Sequence, residues 1–354
     1  MQTHIVKIQT SKEYDVVIGN VILSECGKQI FDVIGKCRAA VITDSNVGKH
    51  YLSIVMSSLE NAGIDTKSFS FPAGEEQKNI STLSDILEFL AREKFSRTDV
   101  VVALGGGVTG DMAGFAAAVY LRGVRYVQIP TSLLAAVDSS VGGKTAIDLN
   151  EGKNLAGAFL QPETVICDTD TLKTLPKEEL LNGLCEAIKY GVLFDEELFS
   201  DFENLAQTDI ASLVERCVSH KGRIVANDEF ENGERKLLNL GHTIGHAIEK
   251  CSDYKIKHGY AVAIGLCMIA RAGEKLLITE KGTAKRIESL FKKHSIPTNT
   301  DFSTEELLSV ALADKKRQNE NITLVVPKKI GECILKTEPI SKLEDYIRLG
   351  KEEL

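Results

Sequence analysis

The segment DVVVALGGGVTGD, residues 99–111, decides the fold class of this chain. The part before the glycines is an apolar run typical of a buried strand. Gly105, Gly107 and Gly110 complete a GxGxxG pattern between that strand and an expected helix. Glycines let a backbone approach a pyrophosphate, and a helix N-terminus favours its negative charge. The segment therefore predicts a nucleotide-binding turn, although a tight turn without a ligand has the same pattern.

Strands and helices alternate on both sides of this segment. Apolar strand-like runs occupy residues 39–43, 66–71 and 124–130, and helical periodicity covers residues 51–62 and 79–94. This alternation predicts a mostly parallel, doubly wound sheet. The acid that usually follows the glycines by about 20 residues is absent. Asp44 stands instead at the end of an earlier strand.

The pattern changes after Pro176. Amphipathic helices are expected over residues 177–193, 210–226, 237–251, 258–277 and 284–293, and a β-hairpin over residues 321–335. The sequence therefore predicts a Rossmann-like α/β domain over residues 1–176 and a mainly α-helical domain over residues 177–354.

Composition restricts the class of partner. The formal net charge of −8 argues against nucleic acid, and no apolar run reaches the roughly 18 residues that a membrane span needs. The N-terminal residues lack the apolar centre of a signal peptide. The eight cysteines contain no CxxC pair, so we expect reduced core residues in a cytoplasmic protein.

Four side chains in the second half are candidate metal ligands. His242 and His246 are four residues apart on an expected helix, and His258 begins the next one. Glu186 lies on an apolar helix face, where Lys189 at i+3 is an alternative partner. One glutamate and two histidines with an open position form a catalytic zinc site. The spacing leaves open which three of the four bind, and a hydrogen-bonded core role remains the alternative.

Basic residues in glycine-rich loops of the first half suggest an anionic substrate. Arg122 lies in YLRG, Asp138 directly precedes SSVGGKTAID and Lys144 lies within it, and Lys153 with Asn154 follows a further glycine. Solvated loop cations are the alternative interpretation for each of them.

Taken together, these motifs resemble the 3-dehydroquinate synthase family. GGGVTGD, VDSSVGGKTAID, GKNLAGAF, EAIKYG and LLNLGHTIGHAIE occur in the family's order, and the resemblance extends from Asp44 to Lys316. It implies an NAD-binding domain, a domain that binds a divalent metal (zinc or cobalt) and a sugar-phosphate substrate, and a homodimer. It also implies conversion of 3-deoxy-D-arabino-heptulosonate 7-phosphate into 3-dehydroquinate and phosphate, in the shikimate route to aromatic amino acids. The implied reaction combines transient oxidation by NAD, phosphate elimination, reduction and aldol closure at the metal.

The resemblance also implies residue roles. The metal ligands would be Glu186, His242 and His258, whereas His246 would face the substrate and share proton transfer with Glu231. The other substrate-pocket matches are Asp138, Lys144, Asn154, Lys189, Lys221, Arg235 and Asn239, with Arg122 beside them and Lys316 expected in preference to Lys315. The cofactor matches are Asp44, Glu75, Lys78, Gly106, Gly107, Val108, Thr109, Gly110, Asp111, Thr131, Ser132, Lys144, Lys153, Thr171, Leu172, Lys173 and Thr174.

Three other functions fit parts of the pattern. Another NAD- and metal-dependent cyclase would act on sedoheptulose 7-phosphate or glucose 6-phosphate. These substrates lack a carboxylate, so Lys221, Arg235 and Asn239 favour the dehydroquinate prediction. A metal-dependent polyol dehydrogenase would release NADH and have little use for so many cations. A non-catalytic NAD-binding regulator would bind without turnover.

Overall fold

The computed structural model describes residues 3–315 and 320–351. The chain forms two compact units. The first contains Met1–Pro176 and Ile210–Phe230, and the second contains Lys177–Asp209 and Glu231–Leu354.

The first unit is built on a sheet that has seven strands in the described residues, in the order β1-β2-β9-β6-β5-β3-β4. β1 and β2 pair antiparallel at one edge, and the other neighbours are parallel. No sequence pattern predicted β1, β2 or β9. The strands are β1 (Thr3–Ile8), β2 (Tyr14–Gly19), β3 (Arg38–Asp44), β4 (Asp65–Phe71), β5 (Val100–Gly105), β6 (Arg125–Pro130) and β9 (Thr164–Asp168).

Both faces of the central strands β3, β5 and β6 are buried, because the crossover helices cover them. On β3, Ala39 and Val41 belong to one apolar cluster, whereas Ala40 and Ile42 belong to another. This alternation is why the strands read as continuous apolar runs in the sequence. The helices that follow the strands are α1 (Cys26–Ile34), α2 (Ser45–Asn61), α3 (Ile80–Arg92) and α4 (Gly107–Val119).

The helix α7 (Ile210–Asn227) corrects the predicted domain division, since it belongs to the first unit and not to the helical domain. It packs against β1 and β2. Glu215 pairs with His4 at 2.6 Å, and Gly222 lies against Ile8. The prediction failed because an amphipathic pattern shows that a helix has an apolar partner but not which partner it is.

The predicted basic loops are also partly strands. Lys144 begins β7 (Lys144–Leu149), which pairs antiparallel with β8 (Gly152–Phe159) in a separate two-stranded sheet. Its Gly157 allows close pairing, since a Cβ there would lie 2.2 Å from the Thr145 carbonyl oxygen. Gly157, one of the glycines that suggested a loop, therefore serves close backbone packing.

The second unit is mainly helical, and the predicted hairpin is present in it. β10 (Asn321–Lys329) and β11 (Glu332–Pro339) pair antiparallel, and Gly331 adopts φ 84° in the turn. The helices are α5 (Lys177–Phe194), α6 (Glu196–Glu203), α8 (His242–Cys251), α9 (His258–Lys275), α10 (Thr283–Lys293), α11 (Thr304–Lys315) and α12 (Leu343–Lys351). The predicted fold class, a Rossmann-like α/β part and a mainly helical part, is confirmed. Among the described helices, none combines the length and apolar composition needed to cross a membrane.

Candidate functional site

The glycine segment forms the turn between β5 and α4. β5 ends at Gly105, whose carbonyl oxygen accepts a hydrogen bond from the Thr131 N–H (3.0 Å), and Gly106 is the N-cap of α4. Glycine has no side chain to cap the helix, so the first N–H groups of α4 can serve an anion. Ser132 lies beside the turn, with its Oγ 3.3 Å from a Cβ built at Gly106.

Asp44 lies next to this turn because β3 is the neighbour of β5 in the sheet. One carboxylate oxygen accepts hydrogen bonds from the backbone N–H groups of Asn46 (2.8 Å) and Val47 (3.1 Å) and so caps α2. The other accepts a hydrogen bond from Thr109 Oγ1 at 3.2 Å. Strand order therefore explains how an acid that precedes the glycines in the chain is placed beside them.

Lys78 is the centre of a buried polar network. Its ammonium group donates hydrogen bonds to Asp111 Oδ2 and Asn154 Oδ1, both at 2.5 Å. Burial disfavours the charged lysine, but the carboxylates of Asp111 and Glu75 outweigh it and raise the pKa of Lys78. Glu75 also pairs with Lys153 at 3.2 Å. The network joins four predicted cofactor residues to one predicted substrate residue.

The predicted residues Thr171, Leu172, Lys173 and Thr174 lie in a short 3₁₀ helix after β9. Tyr51 of α2 fixes this helix, since its hydroxyl group donates to the Thr171 carbonyl oxygen and lies 2.6 Å from Thr174 Oγ1. Lys173 is exposed and pairs with Asp170 at 2.9 Å.

Three predicted substrate-pocket cations of the first unit have different environments. Lys221 on α7 is buried, and its ammonium group donates to both the side chain (2.9 Å) and the carbonyl oxygen (2.6 Å) of Asp138. Lys144 is exposed at the start of β7. Arg122 is exposed in a turn with φ 65°, between Leu121 at φ 50° and Gly123 at φ 117°. Non-glycine residues with a left-handed backbone conformation are uncommon, so two in succession make this turn unusual.

In the second unit, Glu186, His242 and His258 form a group with metal-ligand geometry. One ligand atom from each lies within 4.8 Å of the other two. Glu186 Oε1 is 3.6 Å from His242 Nε2 and 3.4 Å from His258 Nε2. Ligands of a tetrahedral zinc ion at about 2.05 Å are about 3.3 Å apart. The donor set and its spacing therefore fit a divalent metal with an open position.

The remaining atoms of these three side chains have other partners. Glu186 Oε2 pairs with Lys189 Nζ at 2.5 Å, with both residues buried. His242 Nδ1 lies 3.1 Å from the Leu240 carbonyl oxygen, and His258 Nδ1 lies 3.0 Å from Glu249 Oε2. The Glu186–Lys189 ion pair was considered above as an alternative to metal binding, but the two are compatible. Lys189 contacts Oε2, whereas Oε1 faces the two histidines.

Glycines let the three helices that carry this group approach closely. A Cβ at Gly265 on α9 would lie 2.2 Å from the Gly241 carbonyl oxygen, and one at Gly245 on α8 would lie 3.1 Å from the Ala261 carbonyl oxygen. A Cβ at Gly259 would lie 2.0 Å from the carbonyl oxygen of Asn182 on α5. Side chains at these positions would force the helices apart, so the glycines determine the distances between the candidate ligands.

The electrostatics of the group favour a cation among the side chains. Burial and the Lys189 ammonium group lower the pKa of His242 to about 3. Burial acts in the same direction on His258, but hydrogen bonds to Glu186 and Glu249 outweigh it and raise its pKa to about 10. The two carboxylates therefore favour a proton on His258, which a bound divalent ion would displace, because a histidine ligand must be neutral.

His246 lies outside the group formed by Glu186, His242 and His258. It is exposed, and its ring centroid is 5.4 Å from that of His242 and 5.9 Å from that of His258. It forms a second possible group with Glu249 and His258. Its position beside the candidate ligands fits a side chain that meets a substrate.

Three other predicted residues of the second unit precede α8 in the chain. Glu231 adopts φ 61°, and its Oε1 accepts a hydrogen bond from Asn239 Nδ2 at 2.8 Å. Arg235 is buried. The predicted Lys316 lies outside the described residues.

Glu249 was not among the predicted functional residues. This residue is 3% exposed and contacts a predicted metal ligand. Its signal was present in the sequence, since a carboxylate seven residues after His242 lies on the same helix face. The role of the Leu240 carbonyl oxygen left no signal, because every residue has a carbonyl group.

The fold of the chain is the one found in a class of synthases with solved structures. It shares its architecture with a 2-deoxy-scyllo-inosose synthase whose crystal structure contains carbaglucose-6-phosphate, NAD+ and Co2+, with a TM-score of 0.87, 24% identity and coverage of 98% of this chain and 99% of the other. It also matches 2-epi-5-epi-valiolone synthase from Streptomyces hygroscopicus with NAD+ and Zn2+ bound, with a TM-score of 0.87, 23% identity and 98% coverage of both chains.

Within this class, the chain belongs to the 3-dehydroquinate synthase family. The family's N-terminal model matches residues 68–182, and its C-terminal model matches residues 183–317. The 3-dehydroquinate synthase of Clostridium acetobutylicum is 43% identical over 343 residues, which cover 95% of this chain and 96% of the relative. The family predicted from the sequence motifs is confirmed.

Proposed function

We propose that the chain is a 3-dehydroquinate synthase, which converts 3-deoxy-D-arabino-heptulosonate 7-phosphate into 3-dehydroquinate and phosphate. The supporting observation is the Glu186–His242–His258 group, with Nε2–Oε1 distances of 3.4 and 3.6 Å, in a chain of this family. The enzyme is then a phosphate-eliminating lyase that depends on NAD and a divalent metal.

Glu186, His242 and His258 would hold the metal, for which zinc and cobalt both suit the donor set. The metal would supply Lewis acidity toward substrate hydroxyl groups, and NAD would supply a reversible hydride acceptor. Lys189 fixes Glu186 through Oε2 and leaves Oε1 directed at the two histidines. This division of the two oxygens supports the assignment of Glu186 as a ligand.

The first unit would bind NAD. The glycine turn of residues 106–111 offers backbone N–H groups to the pyrophosphate, and Asp44 stands beside it at the end of β3. Lys78 and Asp111 fix the helix after the turn. Residues 131–132 and 171–174 complete the set, and Glu75 positions Lys153.

Cations would bind the two anionic ends of the substrate, its carboxylate and its phosphate. Lys144, Lys221 and Arg235 are the central ones, and a guanidinium group can bind either anion with two hydrogen bonds. Asp138 holds Lys221 in place. The remaining contacts would come from Arg122, Asn154, Lys189, Asn239 and Lys316.

Glu231 and His246 would move protons. Asn239 donates a hydrogen bond to Glu231 Oε1 and so fixes its carboxylate. His246 is exposed beside the Glu186–His242–His258 group. Imidazole is a side chain suited to general acid–base chemistry.

The wider setting follows from this function. We infer a cytoplasmic homodimer that acts on a small molecule, and the net charge of −8 gives no reason to expect nucleic acid as a partner.

A substrate panel tests the proposal. Purified protein with NAD⁺ and Zn²⁺ is given 3-deoxy-D-arabino-heptulosonate 7-phosphate, sedoheptulose 7-phosphate, glucose 6-phosphate or a polyol, and phosphate and product are measured. We expect phosphate and 3-dehydroquinate from the first substrate alone. Turnover of one of the other sugar phosphates in its place would refute the substrate assignment, and net NADH from the polyol would identify a dehydrogenase.

A further inference from the structure

Glu249 is a buried carboxylate in contact with a candidate metal ligand, and the proposed reaction gives it no role. It lies in the last turn of α8, is 3% exposed, and places Oε2 3.0 Å from Nδ1 of His258. A buried carboxylate is costly unless it is paired. Its contact with the imidazole ring is therefore a specific feature of the fold.

His258 needs such a contact because its backbone does not fix its ring. It is the first residue of α9 and follows a connection in which Asp253 and Tyr254 both adopt left-handed conformations, with φ 51° and 59°. The backbone is held, since the Gly259 N–H donates to Asn182 Oδ1 at 2.7 Å. A 180° rotation of the ring about Cβ–Cγ would still replace Nε2 with Cε1 at the position that faces Glu186 in this structure.

The two candidate histidine ligands differ in what holds Nδ1. For His242 the acceptor is the carbonyl oxygen of Leu240, at 3.1 Å. For His258 it is the side chain of Glu249. Substitution cannot remove a backbone carbonyl group, but it can remove a side chain. Glu249 is therefore the contact through which ligand orientation can be tested.

We propose that Glu249 is the positioning residue for His258, accepting the Nδ1–H hydrogen bond and directing Nε2 toward the metal. This inference rests on the proposed function only in that it takes Glu186, His242 and His258 as the ligands. A carboxylate in this position fixes the tautomer and the ring orientation, and its negative charge strengthens the imidazole as a ligand. Glu249 itself stays outside the ligand set.

Metal affinity of the purified variants tests the inference without substrate or NAD. Dissociation constants for Zn²⁺ and Co²⁺ are measured by chelator competition for wild type, Glu249→Gln and Glu249→Ala. We expect the constant to rise about 10-fold for glutamine, which keeps an acceptor oxygen, and up to about 100-fold for alanine. Folded variants that bind within about 2-fold of wild type would overturn the inference.

A double-mutant cycle separates positioning from a general structural effect. In a His258→Ala background, Glu249→Gln should not weaken metal binding further, because the ring that it orients is absent. An undiminished loss in that background would contradict the proposal. Glu288→Gln is the matched control, since Glu288 is also a shielded carboxylate of this unit but pairs with Arg271 at 2.6 Å. It should leave metal affinity unchanged.

Cobalt absorption distinguishes positioning from direct binding. At saturating Co²⁺, Glu249→Gln should keep the wild-type band shape, whereas a changed shape would make Glu249 a ligand and refute the positioning role. The outcome is independent of the proposed reaction. Unchanged affinities in the Glu249 variants would reject this inference while wild type still converts substrate, and a wild type without turnover would leave the affinity differences standing.

Discussion

At the scale of single residues, the two carboxylate oxygens of Glu186 have different partners. Oε2 pairs with Lys189 at 2.5 Å, and Oε1 lies 3.4 and 3.6 Å from two imidazole nitrogens. A lysine at i+3 and a metal are therefore not competing explanations of a buried glutamate. The lysine fixes the carboxylate in the orientation in which its other oxygen can bind an ion.

The Lys144→Ala variant tests the substrate assignment at a single residue. Lys144→Ala should lower kcat/KM for phosphate release by about 10²–10³, because an anionic group loses its charged partner in the reaction. The unfolding midpoint should not change, since Lys144 is an exposed strand residue. Lys67→Ala is the matched control, as Lys67 is exposed on β4. Full activity in Lys144→Ala would remove this residue from the site.

Arg271 tests what stabilises the second unit. This residue is 1% exposed, and its guanidinium group donates to Glu288 Oε1 and to the carbonyl oxygens of Thr298 and Gly350. Arg271→Met should lower the free energy of unfolding by about 3–5 kcal/mol, because it leaves a buried partner unpaired. Urea denaturation measures the change.

The control for Arg271 is Arg286→Met. Arg286 is 35% exposed in its side chain and pairs with Glu196 and Glu203 near the surface. Its loss should cost no more than about 1 kcal/mol. Equal losses for the two variants would show that burial of the Arg271 contacts adds nothing to stability.

At the scale of elements, the close packing of α8 against α9 brings the candidate metal ligands His242 and His258 together. Gly241 and Gly245 on one side, and Gly265 on the other, bring the two backbones together. His242 and His258 begin these two helices, so the distance between them depends on how closely the helices pack.

Gly265→Ala tests this dependence. The added methyl group would lie 2.2 Å from the Gly241 carbonyl oxygen, so the helices must separate. We expect a loss of about 1–3 kcal/mol in stability, together with at least a ~10-fold weaker binding of Zn²⁺ in a chelator competition assay.

Gly152→Ala is the control for Gly265→Ala, because its nearest neighbour is Leu155 Cδ1 at the ordinary distance of 3.4 Å. It should bind the metal as wild type does. If Gly265→Ala also kept wild-type affinity and stability, the close crossing would not be what forms the site.

Some of the helices and strands can be predicted from the sequence, and others cannot. Periodicity and the glycine turn located β3, β5, α3 and α4, since each has a strong local pattern. The sequence pattern did not show that α7 belongs to the first unit, because its partners β1 and β2 are about 200 residues away in the chain. The β7–β8 hairpin was missed because its segments are glycine-rich, although Gly157 serves close backbone packing and not a turn.

At the scale of the whole molecule, the cysteines show how well the interior is shielded from solvent. All eight lie in the described part of the chain, and none forms a disulfide bond there. Burial raises the pKa of Cys26 to about 11 and that of Cys167 to about 12. Such thiols are almost wholly protonated near pH 8, and only the thiolate reacts.

A thiol titration of the folded protein checks this prediction. At pH 8 a disulfide reagent should react quickly with no more than the half-buried cysteines, Cys37, Cys251 and Cys333. All eight should react after unfolding in urea. Fast reaction of Cys26 or Cys167 in the folded chain would contradict their burial.

The candidate site was predictable as a set of residue types and only partly as an arrangement. Four candidates for three metal positions followed from spacing, and family motifs selected Glu186, His242 and His258. Their geometry depends on helix crossings that leave little trace in one sequence. The contacts of Glu249 and Leu240 appear only when α8 and α9 are in place.

The central claim is that the chain uses NAD as a recycled cofactor in phosphate elimination at a metal. Its most direct test is to follow phosphate and NADH absorbance together, with 3-deoxy-D-arabino-heptulosonate 7-phosphate, NAD⁺ and Zn²⁺, before and after EDTA. We predict many phosphates released per enzyme with no net NADH, and loss of this release when EDTA removes the metal. NADH that accumulates in proportion to turnover, or phosphate release that survives complete metal removal, would contradict the account.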